Sequence, residues 1–376
     1  MAGEHRTKSP KLDEIEISLF GPGYGECIAV HLGNGQWMVV DSCIDPKSRE
    51  PAVIQYFSQI GVDPATSVRL IIASHWHDDH IRGLGQLFKK CTSAEFVCSE
   101  ALGSQDFLEV VYAQGERIMA ENISGLDEFH EIIDELKRRA QAVGGRLEPP
   151  IFAVADRCLW QSVVSSVDVP CTVHALSPSD AALLASKLEI ARLSPKIKTP
   201  KRGIWPSGKN HAAIALWVSV GDRVALLGSD LEETGDPYSG WQVILKSTRK
   251  PQGKASIFKV PHHGSATGDN PGVWKEMLAD DPIAVLSPYM LCGLTLPQKS
   301  DIDRLCSLTK KAFITTPQKS RVIKRESAVE KTLKDLNLSP KQVNISIGHI
   351  RLRATQGEPW KVELLQEAQS LCKQSA

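Results

Sequence analysis

The chain has no run of apolar residues approaching the roughly 18 that a membrane-spanning helix requires. Its opening stretch, MAGEHRTKSPKLDE, lacks the apolar core of a secretory signal. Both absences argue against a membrane role and lead us to expect a cytoplasmic protein. Net charge is also lacking, since 44 Lys+Arg balance 44 Asp+Glu. That balance excludes a generally basic nucleic-acid coat and an acidic solvating tail, leaving only local patches. No CxxC spacing occurs among the nine cysteines at 27, 43, 91, 98, 158, 171, 292, 306 and 372. A cysteine zinc ribbon is therefore excluded, and the odd count reads as a reduced intracellular chain without a disulfide frame. The cysteines are expected to act as small buried apolar residues. No internal repeat or low-complexity segment is present.

What is there is ordinary globular material. Of 376 residues, 42% are hydrophobic and 23% charged, too apolar for disorder and enough for a large core. The length suits two or three domains, or one large domain with insertions. EIEISLF alternates as a strand and runs into the turn Gly21-Pro22-Gly23-Tyr24-Gly25. CIAVHLG, the turn Asn34-Gly35 and QWMVVDS then predict a hairpin, because Asn-Gly between alternating apolar runs is a strong hairpin signal. Pro51 to Gly61 predicts a helix, VRLIIASH a buried strand, IRGLGQLFKK a helix and AEFVCS a strand. Residues 101–148 carry helical periodicity with i,i+4 charge pairs and are expected to form a helical insert. Strands are expected again at IFAVA, SSVDV and CTVHALS, with a helix over 179–192. Residues 193–209 are basic and proline-rich and predict a surface loop. AAIALWVSV, RVALLGSD, SIFKV, PIAVLSPY, KAFITT and HIRLRA predict further strands. VWKEMLA, DIDRLCSL and 325–337 predict helices, and the tail from 361 reads as helical. The mixture predicts a layered α/β domain.

The sharpest signal is His75-Trp76-His77-Asp78-Asp79-His80 at the end of an apolar strand, where α/β proteins place ligands. In an extended loop, His75 and His77 point the same way and can chelate one ion, while Asp79 and His80 turn toward a second. Ions paired about 3.5–4 Å apart hold a water between them and make it a nucleophile near neutral pH. Asp230, ending RVALLGSD, and His262-His263, ending SIFKVP, share this strand-end placement. We assign His263 as a ligand and His262 as a leaving-group acid or phosphate contact. Asp78 lies outside the ligand pattern.

HWHDDH, GSD and PHHGS together resemble the metallo-β-lactamase-fold hydrolase superfamily. More narrowly they resemble the branch containing the hydrolase domain of the ComEC competence channel. That branch opens with a strand, a glycine-rich turn and a hairpin ending in an Asp, here Asp41. It closes with a strand beginning Gly-x-Ile, here GHIRLRA. The resemblance implies one hydrolase domain over 13–363, folded as a four-layer αββα sandwich with helical insertions. The segment 101–148 would be an insert, 193–209 a basic loop and 364–376 a helical C-terminal tail. It further implies ligands at His75, His77, Asp79, His80, Asp230 and His263, with Asp41 orienting a ligand histidine and Asp79 also catalytic. Two divalent ions, zinc or manganese, would occupy the site. His211 is either a further ligand or a surface histidine at a strand start.

The chain departs from the branch at Asp41-Ser42-Cys43, where Asp-x-Gly is usual, and at Leu296, where a histidine precedes the proline. Lys196, Lys198, Lys201, Arg202 and Lys209, interleaved with Trp205, are either a phosphate-contacting loop with a stacking platform or a solvated loop. Ser265 is either a donor to a phosphate oxygen or a turn serine, and Tyr24 and Glu26 either line the pocket or pack the turn. A phosphodiesterase or nuclease using a metal-bridging hydroxide is expected first. An ester, lactone or thioester hydrolase is the alternative. A third reading is an effector activated by a protein partner docked on 101–148 or on the C-terminal helix.

Overall fold

The computed structural model describes residues 8–115, 126–142, 144–145, 149–162, 169–193, 210–291, 293–317, 329, 332 and 347–372. In chain order the strands are β1 (Glu14–Gly21), β2 (Cys27–His31), β3 (Trp37–Val40), β4 (Val68–Ile72), β5 (Glu95–Ser99), β6 (Ile151–Ala153), β7 (Arg157–Gln161), β8 (Cys171–Ala175) and β9 (Leu216–Val220). They continue as β10 (Arg223–Leu227), β11 (Ala255–Lys259), β12 (Leu278–Leu286), β13 (Tyr289–Leu291), β14 (Leu294–Leu296), β15 (Ala312–Ile314), β16 (Gly348–Thr355), β17 (Lys361–Gln366) and β18 (Gln369–Ser370). The α-helices are α1 (Ala52–Ile60), α2 (Pro64–Ser67), α3 (Asp78–Ile81), α4 (Leu84–Lys90), α5 (Gln105–Gly115), α6 (Leu126–Ala142), α7 (Asp180–Leu193), α8 (Gly240–Lys246) and α9 (Lys299–Leu308).

Alternation along the strands decides how they are layered, because successive side chains point to opposite faces. Ile15, Ile17 and Leu19 of β1 enter one core, and Phe20 enters another. Leu216 and Val218 of β9 join the first core, while Trp217 faces away into a third. The first core is thus a dry layer between two sheets. One sheet has the order β17-β16-β1-β2-β3-β4-β5-β6, and the other β18-β15-β12-β11-β10-β9-β8-β7. Helices α1, α4, α5 and α6 cover the outer face of the first sheet through residues such as Phe57, Phe88, Phe107 and Phe129. The outer face of the second is covered through Trp241, Ile244 and Leu305. The result is the expected αββα sandwich. In each sheet an antiparallel meander passes into parallel strands: β3-β4-β5-β6 in one, β10-β11-β12-β15 in the other. The C-terminal ends of β3, β4, β10, β11 and β12 lead into the segments that carry the chemistry.

The predicted helical insert is present as α5 and α6. Its apolar face lies against the first sheet, with the Phe107 and Phe129 rings 5.1 Å apart at 90°. The helix expected over IRGLGQLFKK is broken at Gly83, whose φ of +80° no helical residue adopts.

Two expectations are overturned. The tail from 361 is not helical: β17 pairs antiparallel with β16, and β18 with β15. The apolar spacing of the tail suits a helix, but Val362 and Leu364 pack on the inter-sheet core and Arg351 bonds Glu363 at 2.7 Å. Those contacts outweigh local propensity. The chain is also not free of disulfides, since Cys306 of α9 is bonded to Cys372, 66 residues away. No spacing rule announces a pair that only the folded sheet edge brings together. The strand expected at SSVDV and the helix expected over 325–337 fall almost wholly outside the described residues. Among the described residues, no helix is long and apolar enough to cross a membrane.

Two histidines far from the strand-end loops make stability pH-dependent. His31 is buried; its Nδ1 donates to the Glu14 carbonyl at 2.6 Å and its Nε2 accepts from Gly35 N at 3.1 Å. A second proton would break the latter bond, and burial pushes the group down to about 4. His349, stacked on Phe20 at 4.3 Å, is pushed by burial down to about 3. Both are neutral when folded and take up a proton on unfolding below pH ~6.5, so unfolding binds protons and stability falls as pH drops from ~6.5 toward 4. The expected slope approaches about 1.4 kcal/mol per pH unit for each histidine. Urea midpoints at pH 7.0, 6.0 and 5.0 measure it, and a flat profile would refute this account.

Candidate metal centre

β4 ends at Ile72, and the chain continues through Ala73, Ser74 and His75 before α3 begins at Asp78. Backbone bonds clamp this loop from both sides. Asp41 N donates to Ile72 O at 2.8 Å, Ser42 N to His80 O at 2.7 Å, and Glu26 N to Asp79 O at 3.0 Å. The ends of β3 and the glycine-dense turn therefore hold the HWHDDH segment in place.

Asp41 determines which ring nitrogens face inward. Its Oδ2 accepts from His80 Nδ1 at 2.7 Å and from Ser74 Oγ at 2.6 Å, and its Oδ1 accepts from Ser74 N at 2.7 Å. With its own proton committed to Asp41, Ser74 Oγ accepts from His75 Nδ1 at 3.0 Å. One carboxylate thereby sets both tautomers and leaves Nε2 of His75 and His80 as the inward-facing atoms. His263 is set the same way, its Nδ1 donating to Ser287 O at 3.1 Å.

The inward atoms converge. His263 Nε2 lies 3.1 Å from Asp79 Oδ2 and 3.3 Å from Asp230 Oδ2. His80 Nε2 lies 3.4 Å from Asp230 Oδ1 and 3.7 Å from Asp79 Oδ2, and His75 Nε2 lies 4.0 Å from Asp230 Oδ2. Asp79, His80, Asp230 and His263 present ligand atoms all within 4.8 Å of one another, and every one of these residues is buried. The His77 ring is 4.7 Å from that of His75.

Charge and hydrogen bonding both fit divalent cations. His75 Nε2, His80 Nε2 and Asp230 Oδ1 are buried without a hydrogen-bond partner, which is costly unless something else satisfies them. Glu26, Asp41, Asp79 and Asp230 bring four carboxyl groups against one buried ammonium, Lys259. Burial alone would raise Asp79 and Asp230, but His80 and His263 beside them hold both below the usual carboxylate range. Burial alone would lower His80 and His263. The carboxylates, Asp230 foremost, instead raise both, His263 to about 10. Burial pushes His75 and His77 down. The donor set, imidazole and carboxylate, is one that zinc and manganese accept. Backbone strain gathers here too: Asp41, Ser229, His262 and His263 all have φ between +47° and +60°, a conformation that non-glycine residues hold only where their surroundings over-determine it.

Other predicted residues are not among these converging ligand atoms, although the His262 ring lies 6.2 Å from that of His263. His262, half-buried, bonds Thr267 Oγ1 through Nδ1 at 2.6 Å and lies 3.2 Å from Glu232 Oε1. Ser265 Oγ accepts from Thr267 N at 3.3 Å and caps a short turn. His211 borders a cleft with Asn210, Leu231 and Glu232, and joins neither group of converging ligand atoms. Asp78 is half-buried, 3.9 Å from Arg82. Lys201, Arg202 and Trp205, with the rest of that basic run, lie outside the described residues.

Sequence reasoning missed Lys259. It is wholly buried, 2.5 Å from Glu26 Oε1 and 3.8 Å from Asp230 Oδ1, and it donates to Ser229 O at 3.0 Å. The one available signal was a lone lysine inside the apolar strand SIFKV. Glu128 of α6 was missed as well. Its carboxylate accepts from Gly83 N at 2.6 Å and Gly85 N at 2.9 Å, capping α4 directly behind the loop. Arg139 of the same helix donates to Phe88 O and Cys91 O at the other end of α4. Glu128→Ala is expected to cost about 1.5–3 kcal/mol, the worth of hydrogen bonds to a charged group. A thermal melt reads it, and an unchanged melting temperature would show the insert does not brace the loop.

The family model for the metallo-beta-lactamase superfamily matches residues 20–150. No curated protein matches the sequence. Among solved structures the chain is similar to a Cronobacter sakazakii metallo-beta-lactamase with a HARLDQ motif, at 13% identity, covering 62% of this chain and 64% of that one, TM-score 0.28. It is also similar to MEM-A1, a subclass B3 metallo-beta-lactamase from a soil metagenome library, at 12% identity, covering 69% and 80%, TM-score 0.32. A CmlA beta-hydroxylase mutant is similar at 12% identity, covering 67% of this chain and 36% of that one, TM-score 0.33. The family match covers residues 20–150, about a third of the chain, and the two sheets extend on either side of it.

Proposed function

We propose that this chain is a hydrolase dependent on two divalent ions, zinc or manganese, and that it acts on phosphodiesters. The observation that carries the metal reading is the buried convergence of Asp79, His80, Asp230 and His263 with orphaned donor atoms on His75, His80 and Asp230. Asp79, His80 and His263 would hold one ion and His75 with His77 the other, with Asp230 between them. When bound, such ions activate a water and neutralise charge developing on the scissile group.

The remaining work falls to the chain. Asp41 keeps His75 and His80 in one tautomer. Thr267 and Glu232 hold His262 at Nδ1, so that Nε2 is the atom that hands a proton to the leaving oxygen. That role fills the place left by Leu296, where the ComEC-like branch carries a histidine. Ser265 and the basic run with Lys201 and Arg202 would contact phosphate, with Trp205 as a stacking platform.

Cleavage of bis-p-nitrophenyl phosphate and of an aliphatic lactone, at equal zinc or manganese loading, tests the substrate class. Turnover of the diester alone is expected. Turnover of the lactone alone would replace the phosphodiester reading. Silence on both by a protein shown to hold two ions would favour the partner-activated effector, with α5 and α6 as its docking surface. Saturating metal is expected to raise stability by about 4 kcal/mol at a thousandfold excess over Kd, and a chelator should remove that gain in a thermal melt.

A further inference from the structure

From the metal cluster to the surface runs a strip of rings that the proposed hydrolysis does not use. The Tyr289 ring lies 5.4 Å from that of His263, and the Tyr24 ring 5.5 Å from Tyr289 at 65°. The Arg82 guanidinium sits 5.1 Å from the Tyr24 centroid. These residues come from three separate places. Tyr24 stands in the glycine-dense turn after β1, Tyr289 opens β13, and Arg82 follows α3. Met290 N donates to Gly23 O at 2.7 Å, locking the tyrosine-bearing segments together. The turn is held against both the end of β3 and the HWHDDH loop, because a Cβ at Gly25 would come 3.0 Å from Cys43 Cβ and 3.4 Å from Asp79 O. Both tyrosines are half-buried, and the Arg82 side chain is 50% exposed. The strip is therefore rigid at its inner end and open at its outer end.

We infer that Tyr24 and Tyr289, backed by Arg82, form a subsite that stacks a nucleobase adjoining the scissile phosphate. The inference rests on the phosphodiester reading and narrows it to nucleotide substrates. Aromatic faces accept any base, because every base has a π-face to offer. A guanidinium behind one ring both stacks and attracts backbone phosphate. An aliphatic ester or lactone would gain nothing from either. The base would lie within one or two ring widths of His263, the spacing a nucleotide needs if its phosphate is to reach the cluster.

Isothermal titration of the manganese-loaded full chain with adenosine 5′-monophosphate and with ribose 5-phosphate tests this directly. The nucleotide is expected to bind about 10-fold tighter, in keeping with measured base–aromatic stacking. Tyr24→Leu and Tyr289→Leu should each remove most of that difference while leaving ribose 5-phosphate within twofold. Tyr24→Phe and Tyr289→Phe should restore it, which separates ring stacking from a fault in folding. Equal affinity for the two probes in the unmodified protein, or parallel loss of both in the leucine variants, would overturn the subsite. Base-dependent binding without cleavage of bis-p-nitrophenyl phosphate would uphold the subsite and refute the phosphodiesterase. Cleavage without base dependence would do the reverse.

Discussion

Asp230→Asn should abolish metal-dependent hydrolysis, with a loss of about 10³-fold or more, in the range seen when a group that stabilises transition-state charge is removed. Among the described residues, Asp230 is the one acid within 4.0 Å of a ring nitrogen of His75, His80 and His263 alike, and it also faces Lys259 at 3.8 Å. Asp79 lies within that distance of His80 and His263 but not of His75. The substitution keeps the volume and removes the charge, so both ions would lose a shared ligand at once. Metal content by mass spectrometry should fall below two per chain, and turnover of bis-p-nitrophenyl phosphate should fall with it. Asp79→Ala is expected to lose one ion and comparable activity. A fully loaded, active Asp230→Asn protein would mean that the metals lie elsewhere.

The second large effect concerns stability rather than turnover. Lys259 and Glu26 form an ion pair with neither partner exposed to solvent. Burial would lower Lys259, but Glu26 and then Asp230 raise it, so the ammonium keeps its proton. Removing one partner of such a pair leaves an uncompensated buried charge and costs about 3–5 kcal/mol. Lys259→Met is therefore expected to lower the urea midpoint steeply. Lys259→Met combined with Glu26→Gln removes both charges in similar volume, and such neutral replacements are often neutral or stabilising. The double variant should recover most of the loss. If it is as unstable as the single one, the lysine matters for its packing and not for its charge.

What could be read in advance was whatever is local. The hairpin around Asn34-Gly35, the apolar strands and the periodic helices of the insert depend on residues a few positions apart, where backbone preference and side-chain alternation act directly. The HWHDDH cluster belongs to the same class, since its chelating spacing is set by a single extended loop. Asp230 and His263 could be named because each ends a recognisable strand, and their residue types have few uses in such a place.

The rest waited on distance in sequence. Asp79 and His263 meet at 3.1 Å across 184 residues, and Ser287 Oγ reaches Gly25 O across 262. No pattern in either segment specifies the partner. Only the parallel pairing of β10, β11 and β12, together with closure of the two sheets, brings those ends to one edge. Lys259 reads as an exposed lysine until the strand is placed at the centre of a sheet, where its ammonium has no route to water and must find Glu26. Asp41 could be named from the resemblance as orienting a ligand histidine, but only the fold shows it between Ser74 and His80, holding two rings and not one. The tail had helical spacing and became a strand because an open edge at β16 offered hydrogen bonds, an apolar surface and Arg351 for Glu363. Local chemistry decided which groups were available for a site. Tertiary packing decided which of them met, because desolvation makes each buried charge depend on partners that the linear chain does not specify.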